Sequence, residues 1–192
     1  RLGSLFLALA LLAACTPTPQ TNRDLETQAL DVTISEIRID QPSTDNDEYF
    51  ELQGTAGTSL EGLSYLVIGD GTGGSGVIEA VIDLNGEISQ SGYFVAAEDS
   101  FDLGSADLIT NLNFENSDNV THLLVSGFSG SNGLDLDVDD DGTLDSEPWD
   151  TLVDSVALIE SVGSGEQVYS DTRVGPDGSF VPAHVYFCDA GW

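Results

Sequence analysis

The chemistry that the sequence offers most clearly is metal binding, in a stretch of alternating aspartates. Residues 137–145 read DVDDDGTLD. Calcium takes roughly six to eight oxygen ligands, and an EF-hand-type loop supplies them from positions 1, 3, 5, 7, 9 and 12, with glycine at position 6 for the turn. That spacing predicts ligands from the side chains of Asp137, Asp139, Asp141 and Asp145 and from the carbonyl of Thr143.

The last ligand position of this loop departs from the pattern. Position 12, which should hold a bidentate glutamate, is Pro148, so Glu147 or Asp150 is expected to complete the shell. The flanking segments are strand-like and not helical. The sequence therefore predicts a calcium loop between two strands. The alternative is a plain acidic turn in a chain that is acidic throughout.

Other motifs for catalysis or cofactor binding are weak in this sequence. It contains no lysine, which excludes Schiff-base and P-loop chemistry. Residues 69–74 fit G-x-G-x-x-G, but the β-branched residues that follow predict a hairpin, whereas a dinucleotide site needs a helix. His122 and His184 fit no zinc or nucleophile motif, and His122 is expected to pack among apolar neighbours. We therefore expect no catalytic residues in this chain.

The charge balance limits the possible partners. The chain has 34 acidic residues, four basic residues and a formal net charge of -30. Nucleic-acid affinity depends on cationic side chains that displace phosphate counterions, so no nucleic-acid binding is expected. A protein or glycan ligand remains possible, and its contact surface is predicted around Phe128 and Trp149. An acidic patch of Glu36, Glu48 and Glu51 is expected to be a solvated face, and the alternative is a second cation site or a partner-docking patch.

The first fifteen residues predict a bacterial lipoprotein signal. One arginine precedes an apolar run that is too short to span a membrane, and the run ends in Leu12-Ala13-Ala14-Cys15, which resembles a lipobox. Residues 1–14 are thus expected to be a signal peptide. Residues 15–30 would be a lipidated Cys15 followed by a Pro/Thr tether. An ordinary signal peptide or a buried N-terminal helix is the alternative.

Lipidation would determine where the protein resides. Acyl chains on Cys15 would anchor it to a membrane of the bacterial cell envelope, facing the periplasm or the exterior. The second cysteine, Cys188, lies in an apolar run and is expected to be a buried, inert thiol. The alternative is pairing with a cysteine beyond Trp192, because the chain ends within a strand-like run.

Residues 31–192 have the pattern of one all-β domain, and the alternatives are a complete domain and one truncated at its C-terminus. Short apolar or alternating runs are separated by Gly, Asn, Asp, Ser and Pro clusters, which is typical of a sandwich or barrel. Alternation places Phe50 and Leu52 on one face of a strand, and a phase slip near Ser35 and Glu36 predicts a β-bulge. The predicted strands are residues 32–39, 48–53, 64–68, 77–84, 93–97, 119–125, 151–159, 167–170 and 184–188.

Several of these segments resemble lamin-tail domains of bacterial surface and secreted proteins. The resemblance rests on residues 34–37 (ISEI), 47–52 (DEYFEL), 60–66 (LEGLSYL, with Leu63 at a usual Trp position), 92–95 (GYFV), 116–120 (NSDNV) and 154–157 (DSVA). It covers about residues 31–160 and implies an immunoglobulin-like β-sandwich, here with the acidic loop as an insertion. It also implies a non-catalytic binding or structural role.

The same resemblance leaves an enzyme as the alternative. In bacteria, lamin-tail domains often accompany secreted nucleases and phosphodiesterases on one chain. The alternative function is therefore the N-terminal part of a calcium-dependent extracellular nuclease or phosphodiesterase, whose catalytic domain would lie beyond residue 192.

Overall fold

The structure, a computed structural model, describes residues 31–42, 47–70, 74–161, 167–188 and 191–192. The predicted signal peptide, Cys15 and tether lie outside these residues. The described part contains no helix that could cross a membrane. Its strands are β1 (Val32–Arg38), β2 (Tyr49–Gly54), β3 (Leu63–Gly69), β4 (Val77–Asp83), β5 (Tyr93–Ala97), β6 (Leu108–Ile109), β7 (Val120–Ser126), β8 (Thr151–Leu158), β9 (Arg173–Val174) and β10 (His184–Tyr186).

The strands form two five-stranded sheets that pack face to face. The first sheet has the order β10-β1-β2-β5-β6, and the second has the order β4-β3-β7-β8-β9. Neighbouring strands are antiparallel except for the parallel edge pairs β5–β6 and β8–β9. Apolar residues of both sheets share one buried cluster, in which the rings of Phe50 and Tyr65 stack with centroids 3.7 Å apart. The predicted all-β sandwich is confirmed.

The pattern of β1 and β2 explains how the first sheet faces the core. Phe50 and Leu52 are fully buried, as their alternation predicts. The pairing of β1 with β2 shifts register between Ile34 and Glu36, which confirms the predicted bulge. The extra residue allows Ile34 and Ile37 to point to the same core although an odd number of positions separates them.

The second sheet is covered on both faces. All seven residues of β3 are buried, because its other face carries a smaller apolar cluster of Leu66, Ile68, Ile78, Leu123, Val125 and Leu136. Side chains from the segment between β7 and β8 pack against this smaller cluster. The segment between β7 and β8, which includes the predicted acidic loop, therefore covers the outer face of the second sheet.

Two sequence predictions about these elements are wrong. Residues 167–170 form no strand, and the neighbouring strand is the two-residue β9, which like β6 is too short to leave a periodic signal. The backbone N–H of Tyr169 instead donates to the Thr121 hydroxyl at 3.1 Å. Cys188 is exposed and not buried, because it follows the edge strand β10 on the outer side of the first sheet.

Candidate metal centre

The acidic segment is anchored before its first aspartate. Leaving β7, the chain runs along the free edge of β4, where Ile78 N donates to the Leu134 carbonyl at 2.9 Å and Leu136 N donates to the Gly76 carbonyl at 3.0 Å. Leu136 is fully buried in the smaller cluster. Asp137 follows at once, so the start of the aspartate run is held by backbone pairing and apolar burial.

Asp137 is a buried carboxylate of the loop that hydrogen bonds hold in place. Its side chain is fully buried and accepts hydrogen bonds from Asp141 N at 3.1 Å, Gly142 N at 2.8 Å and the Tyr169 hydroxyl at 2.7 Å. Burial by itself raises the pKa of Asp137, but these three hydrogen bonds outweigh it and hold the pKa below its usual value. Asp137 is therefore an ionised carboxylate inside the protein.

A tight turn returns the chain to Asp137. Asp140 N donates to the Asp137 carbonyl at 3.1 Å, and the left-handed φ angles are 54° at Asp140 and 84° at Gly142. The glycine predicted for the turn therefore occupies a backbone conformation that other residues adopt only with strain. Asp145 closes the loop, because its N–H donates to the Leu136 carbonyl at 2.7 Å and its Oδ2 accepts from Val138 N at 2.9 Å.

This path brings three carboxylates together. One oxygen from each of Asp137, Asp139 and Asp145 lies within 4.8 Å of the others, which suits shared coordination of one cation. Asp139 is exposed, and its pKa is raised first by the charge of Asp141, then by desolvation and by the charges of Asp145 and Asp137. The cluster can therefore hold a metal ion, and a cation there would offset this repulsion.

The remaining predicted ligands have other positions in the loop. Asp141 is outside the converging group, and its Oδ1 accepts a hydrogen bond from Thr143 N at 2.8 Å. Glu147 is also outside that group and lines a surface cavity of about 580 Å³ together with Thr143. The structure thus brings together three of the five predicted carboxylate ligands.

Tyr169 is the contributor that the sequence did not reveal. It lies 32 positions after Asp137, and its hydroxyl reaches the buried carboxylate from a segment between β8 and β9. Burial, followed by the bond to Asp137 and the charges of nearby aspartates, raises the pKa of the Tyr169 phenol well above its usual value. The phenol therefore stays protonated and remains a donor.

The predicted contact surface and acidic patch are only partly exposed. Phe128 and Trp149 are half-buried and pack against the smaller cluster, so much of their surface serves the cover of the second sheet. Glu48 is buried, and its Oε2 accepts from Phe114 N at 2.8 Å. Of the expected solvated patch, only Glu36 and Glu51 remain on the outer face of the first sheet.

His122 is packed in the core, as predicted. Its ring is fully buried, its Nδ1 lies 2.9 Å from the Tyr65 hydroxyl, and its edge meets Phe114 with centroids 5.1 Å apart. Burial lowers the pKa of His122 to about 3, so the ring is neutral at ordinary pH. Its position between the sheets is that of a core residue.

A second group of acids surrounds Glu79 on β4. Glu79 on β4 is partly buried, and its Oε2 is shielded from solvent without a hydrogen-bond partner. Burial, and then the charges of Glu115, Asp70 and Asp118, raise the pKa of Glu79 to about 7. This carboxylate gives up part of its charge near neutral pH, unlike Asp137.

Fold and site together define a β-sandwich protein with an aspartate-rich loop that can hold a metal ion. Comparison of the chain with protein-family models, with curated proteins and with solved structures finds no match.

Proposed function

We propose that this protein is the non-catalytic module of a bacterial cell-envelope lipoprotein, and that calcium bound in loop 137–145 stabilises its sandwich. The observation that carries the calcium proposal is the convergence of Asp137, Asp139 and Asp145. The lipobox-like residues 12–15 support attachment to the envelope. The module would present a binding or structural surface to a protein or a glycan at the cell surface.

The chemistry of the loop favours calcium over magnesium. All candidate donors are oxygens, and carboxylates dominate, which suits a hard divalent cation. Magnesium requires near-octahedral geometry at shorter distances and loses its water reluctantly, whereas calcium tolerates irregular shells. Asp141, Glu147, the Thr143 carbonyl or water would complete the coordination around the three converging carboxylates. Without a bidentate glutamate at position 12, we expect a weak extracellular-type site, with a dissociation constant on the order of 10⁻⁴ to 10⁻³ M.

Calcium at this point would act on the fold as well as on the loop. Asp137 directly follows Leu136, which is buried in the smaller cluster, and it is hydrogen-bonded to Tyr169. A bound ion would therefore fix the segment that covers the second sheet. It would also reduce the charge repulsion in a chain of net charge -30.

Thermal unfolding in chelator, calcium or magnesium tests the calcium proposal. At a hundredfold excess over the dissociation constant, calcium should add about 2.7 kcal/mol of stability. For a chain of this size that corresponds to a rise in Tm of about 5–10 °C. Asp139→Ala/Asp145→Ala should lose the rise, whereas Asp99→Ala/Asp102→Ala, which removes two exposed charges elsewhere, should keep it.

A different result would contradict the calcium proposal. If calcium and magnesium raise the Tm equally, and both double variants respond like the wild type, the ions only screen an acidic surface. The calcium site would then be rejected.

Membrane fractionation tests the envelope proposal separately. Cys15→Ser removes the acceptor of the lipid, so the variant should leave the membrane fraction or keep its signal peptide. Normal processing together with wild-type membrane association would exclude lipidation at Cys15.

A further inference from the structure

The outer face of the first sheet carries a second cavity, separate from the metal loop. It has a volume of about 570 Å³, within the range of small-ligand sites. Strands β1, β2, β5 and β10 form it, and the residues after β10 extend one wall. No residue of loop 137–145 lines it.

Exposed aromatic rings line this cavity. Tyr93, Tyr186 and Phe187 expose 37%, 62% and 49% of their surface, and all three contribute to its walls. Large aromatic side chains that remain exposed at one place mark a binding surface more often than isolated ones do. The sequence did not single out these residues, because the strands that carry them are far apart along the chain.

Two carboxylates share the cavity with these rings, and both are held in place. Glu36 Oε1 accepts hydrogen bonds from the Tyr49 hydroxyl at 2.5 Å and is 2.6 Å from His184 Nε2. Glu51 Oε1 accepts from the Ser35 hydroxyl at 2.8 Å. These bonds fix the carboxylates before any ligand arrives.

One possible cationic partner of these carboxylates lies on the cavity wall: His184, which pairs with Glu36 only when its ring is protonated. Arg38, the nearby arginine, is paired with Asp47 at 3.0 Å, and no arginine is among the described residues that line the cavity. Burial and the charge of Glu36 raise the pKa of Glu51, although the Ser35 bond opposes this. Two carboxylates outnumber the one imidazole that could carry a positive charge, so the cavity is net negative and a cation that entered it would relieve the repulsion.

We propose that this cavity binds a small quaternary ammonium ion. Such an ion is weakly hydrated and is attracted to the faces of aromatic rings. It donates no hydrogen bonds, so it needs only the charge of Glu36 and Glu51, whose Oε1 atoms already accept bonds from the protein. An anion would be repelled, and a neutral sugar would gain nothing from the paired carboxylates.

Calorimetric titration of the full chain with choline chloride tests the proposal. The control ligand is 3,3-dimethyl-1-butanol, which has the shape of choline but no charge, and ionic strength is held constant with sodium chloride. Choline should give saturable binding at one site. The neutral analogue should bind at least tenfold more weakly.

Two variants locate the binding. Glu51→Gln keeps the size of the side chain and its bond to Ser35 but removes the charge, and Tyr186→Ala removes an exposed ring. Each should weaken choline binding at least fivefold without lowering the Tm. The matched controls Glu61→Gln and Phe180→Ala change an exposed carboxylate and an exposed ring outside the cavity, and should bind choline like the wild type.

Three results would overturn the proposal. Heat that never saturates would mean diffuse attraction to an acidic surface. Equal binding of the neutral analogue would mean an apolar or sugar-type site. Wild-type affinity in both Glu51→Gln and Tyr186→Ala would place the ligand elsewhere.

Discussion

Asp137 and Glu79 are two carboxylates close to β4, and the protein treats them in opposite ways. Asp137 is fully buried and accepts three hydrogen bonds, so its pKa is lowered. Glu79 is less buried, but one oxygen has no donor and its neighbours are acids, so its pKa rises to about 7. The supply of donors, more than the depth of burial, decides which carboxylate keeps its charge.

This difference shows how to recognise a candidate metal site in a very acidic protein. Acids that are close together are common in a chain with 34 of them. A carboxylate that the fold keeps ionised by directed N–H and O–H donors is more informative, because it remains ready to bind a cation. The loop at Asp137 meets that condition, and the edge at Glu79 does not.

The largest expected effect is the loss of Asp137. Asp137→Ala leaves Asp141 N, Gly142 N and the Tyr169 hydroxyl without their acceptor. Hydrogen bonds to a charged group contribute about 1.5–3 kcal/mol each and are not additive, so we expect a loss of about 3 kcal/mol or more. Urea denaturation in the presence of chelator measures it.

Asp139→Ala is the matched control for this variant. It removes the same charge from the same loop, but at an exposed position whose neighbours repel it. In chelator it should leave stability unchanged or slightly higher. Equal destabilisation by both variants would show that the hydrogen bonds to Asp137 have no special weight.

His122 extends the comparison to a group that is positive when protonated. Burial lowers its folded pKa to about 3, while the unfolded value is about 6.5, so the unfolded chain binds the proton more readily. Above about pH 6.5, His122 is neutral in both states and costs no stability. Below that pH, the free energy of unfolding falls by about 1.4 kcal/mol per pH unit as the pH drops toward 3.

Denaturation curves of wild type and His122→Phe between pH 6 and pH 4 test this. The variant has no imidazole, so its free energy of unfolding should fall less steeply as the pH decreases. The difference between the two slopes should correspond to about one proton. Its absolute stability is not the readout, because the Tyr65 hydroxyl also loses its partner. Parallel pH profiles would contradict the assignment.

Glu79→Gln should stabilise the protein at high pH. The folded pKa of Glu79, about 7, exceeds the unfolded value of 4.5. The ionised carboxylate therefore destabilises the native state increasingly as the pH rises from 4.5 to about 7, and by a constant amount above that. After allowance for solvent screening of a partly exposed group, we expect a gain of about 1–2 kcal/mol at pH 8. The gain should vanish below about pH 4.5.

The exposed Glu87 provides the control for Glu79. Glu87→Gln makes the same change on the loop after β4, so any effect of reduced net charge should show in both variants. A gain at pH 8 that is equal for the two would mean general charge repulsion. A gain confined to Glu79→Gln would support a local penalty.

The smallest effect concerns the turn that brings the carboxylates together. Gly142→Ala places a side chain at a φ of 84°, and its Cβ would come 2.6 Å from Gln167 Oε1, a flexible group that can move. We expect a cost of about 1 kcal/mol and a smaller rise in Tm with calcium. Gly104→Ala, which meets only ordinary contacts, should change stability by less than about 0.5 kcal/mol.

The sequence predicted the elements whose signals are local. Alternation in β2, the phase slip in β1 and the glycine of the acidic turn each depend on a few adjacent residues, and the structure agrees with all three. The run from Tyr93 to Ala97 was predicted with its observed bounds. Strands of two residues and the strand assigned to residues 167–170 failed, because a period needs more residues than these segments have.

The same distinction between local and long-range signals applies to the candidate metal site. The aspartate spacing identified Asp137, Asp139 and Asp145, because a tight turn brings alternating residues together. It could not identify Tyr169, whose approach depends on how the segment after β8 packs on the second sheet. The sequence marked Glu36 and Glu51 of the outer cavity only as part of an acidic patch. It did not predict the aromatic walls, since they come from strands far apart along the chain.

By itself, the sequence determined the all-β class, the acidic character and the short-range geometry of the aspartate turn. The tertiary structure alone decided which polar groups are buried and what they contact. Cys188 is exposed because β10 lies at a sheet edge, and Glu48 is buried because it accepts from Phe114 N, 66 residues away. Burial and long-range hydrogen bonds are properties of the packed sheets, so no local pattern of residues can encode them fully.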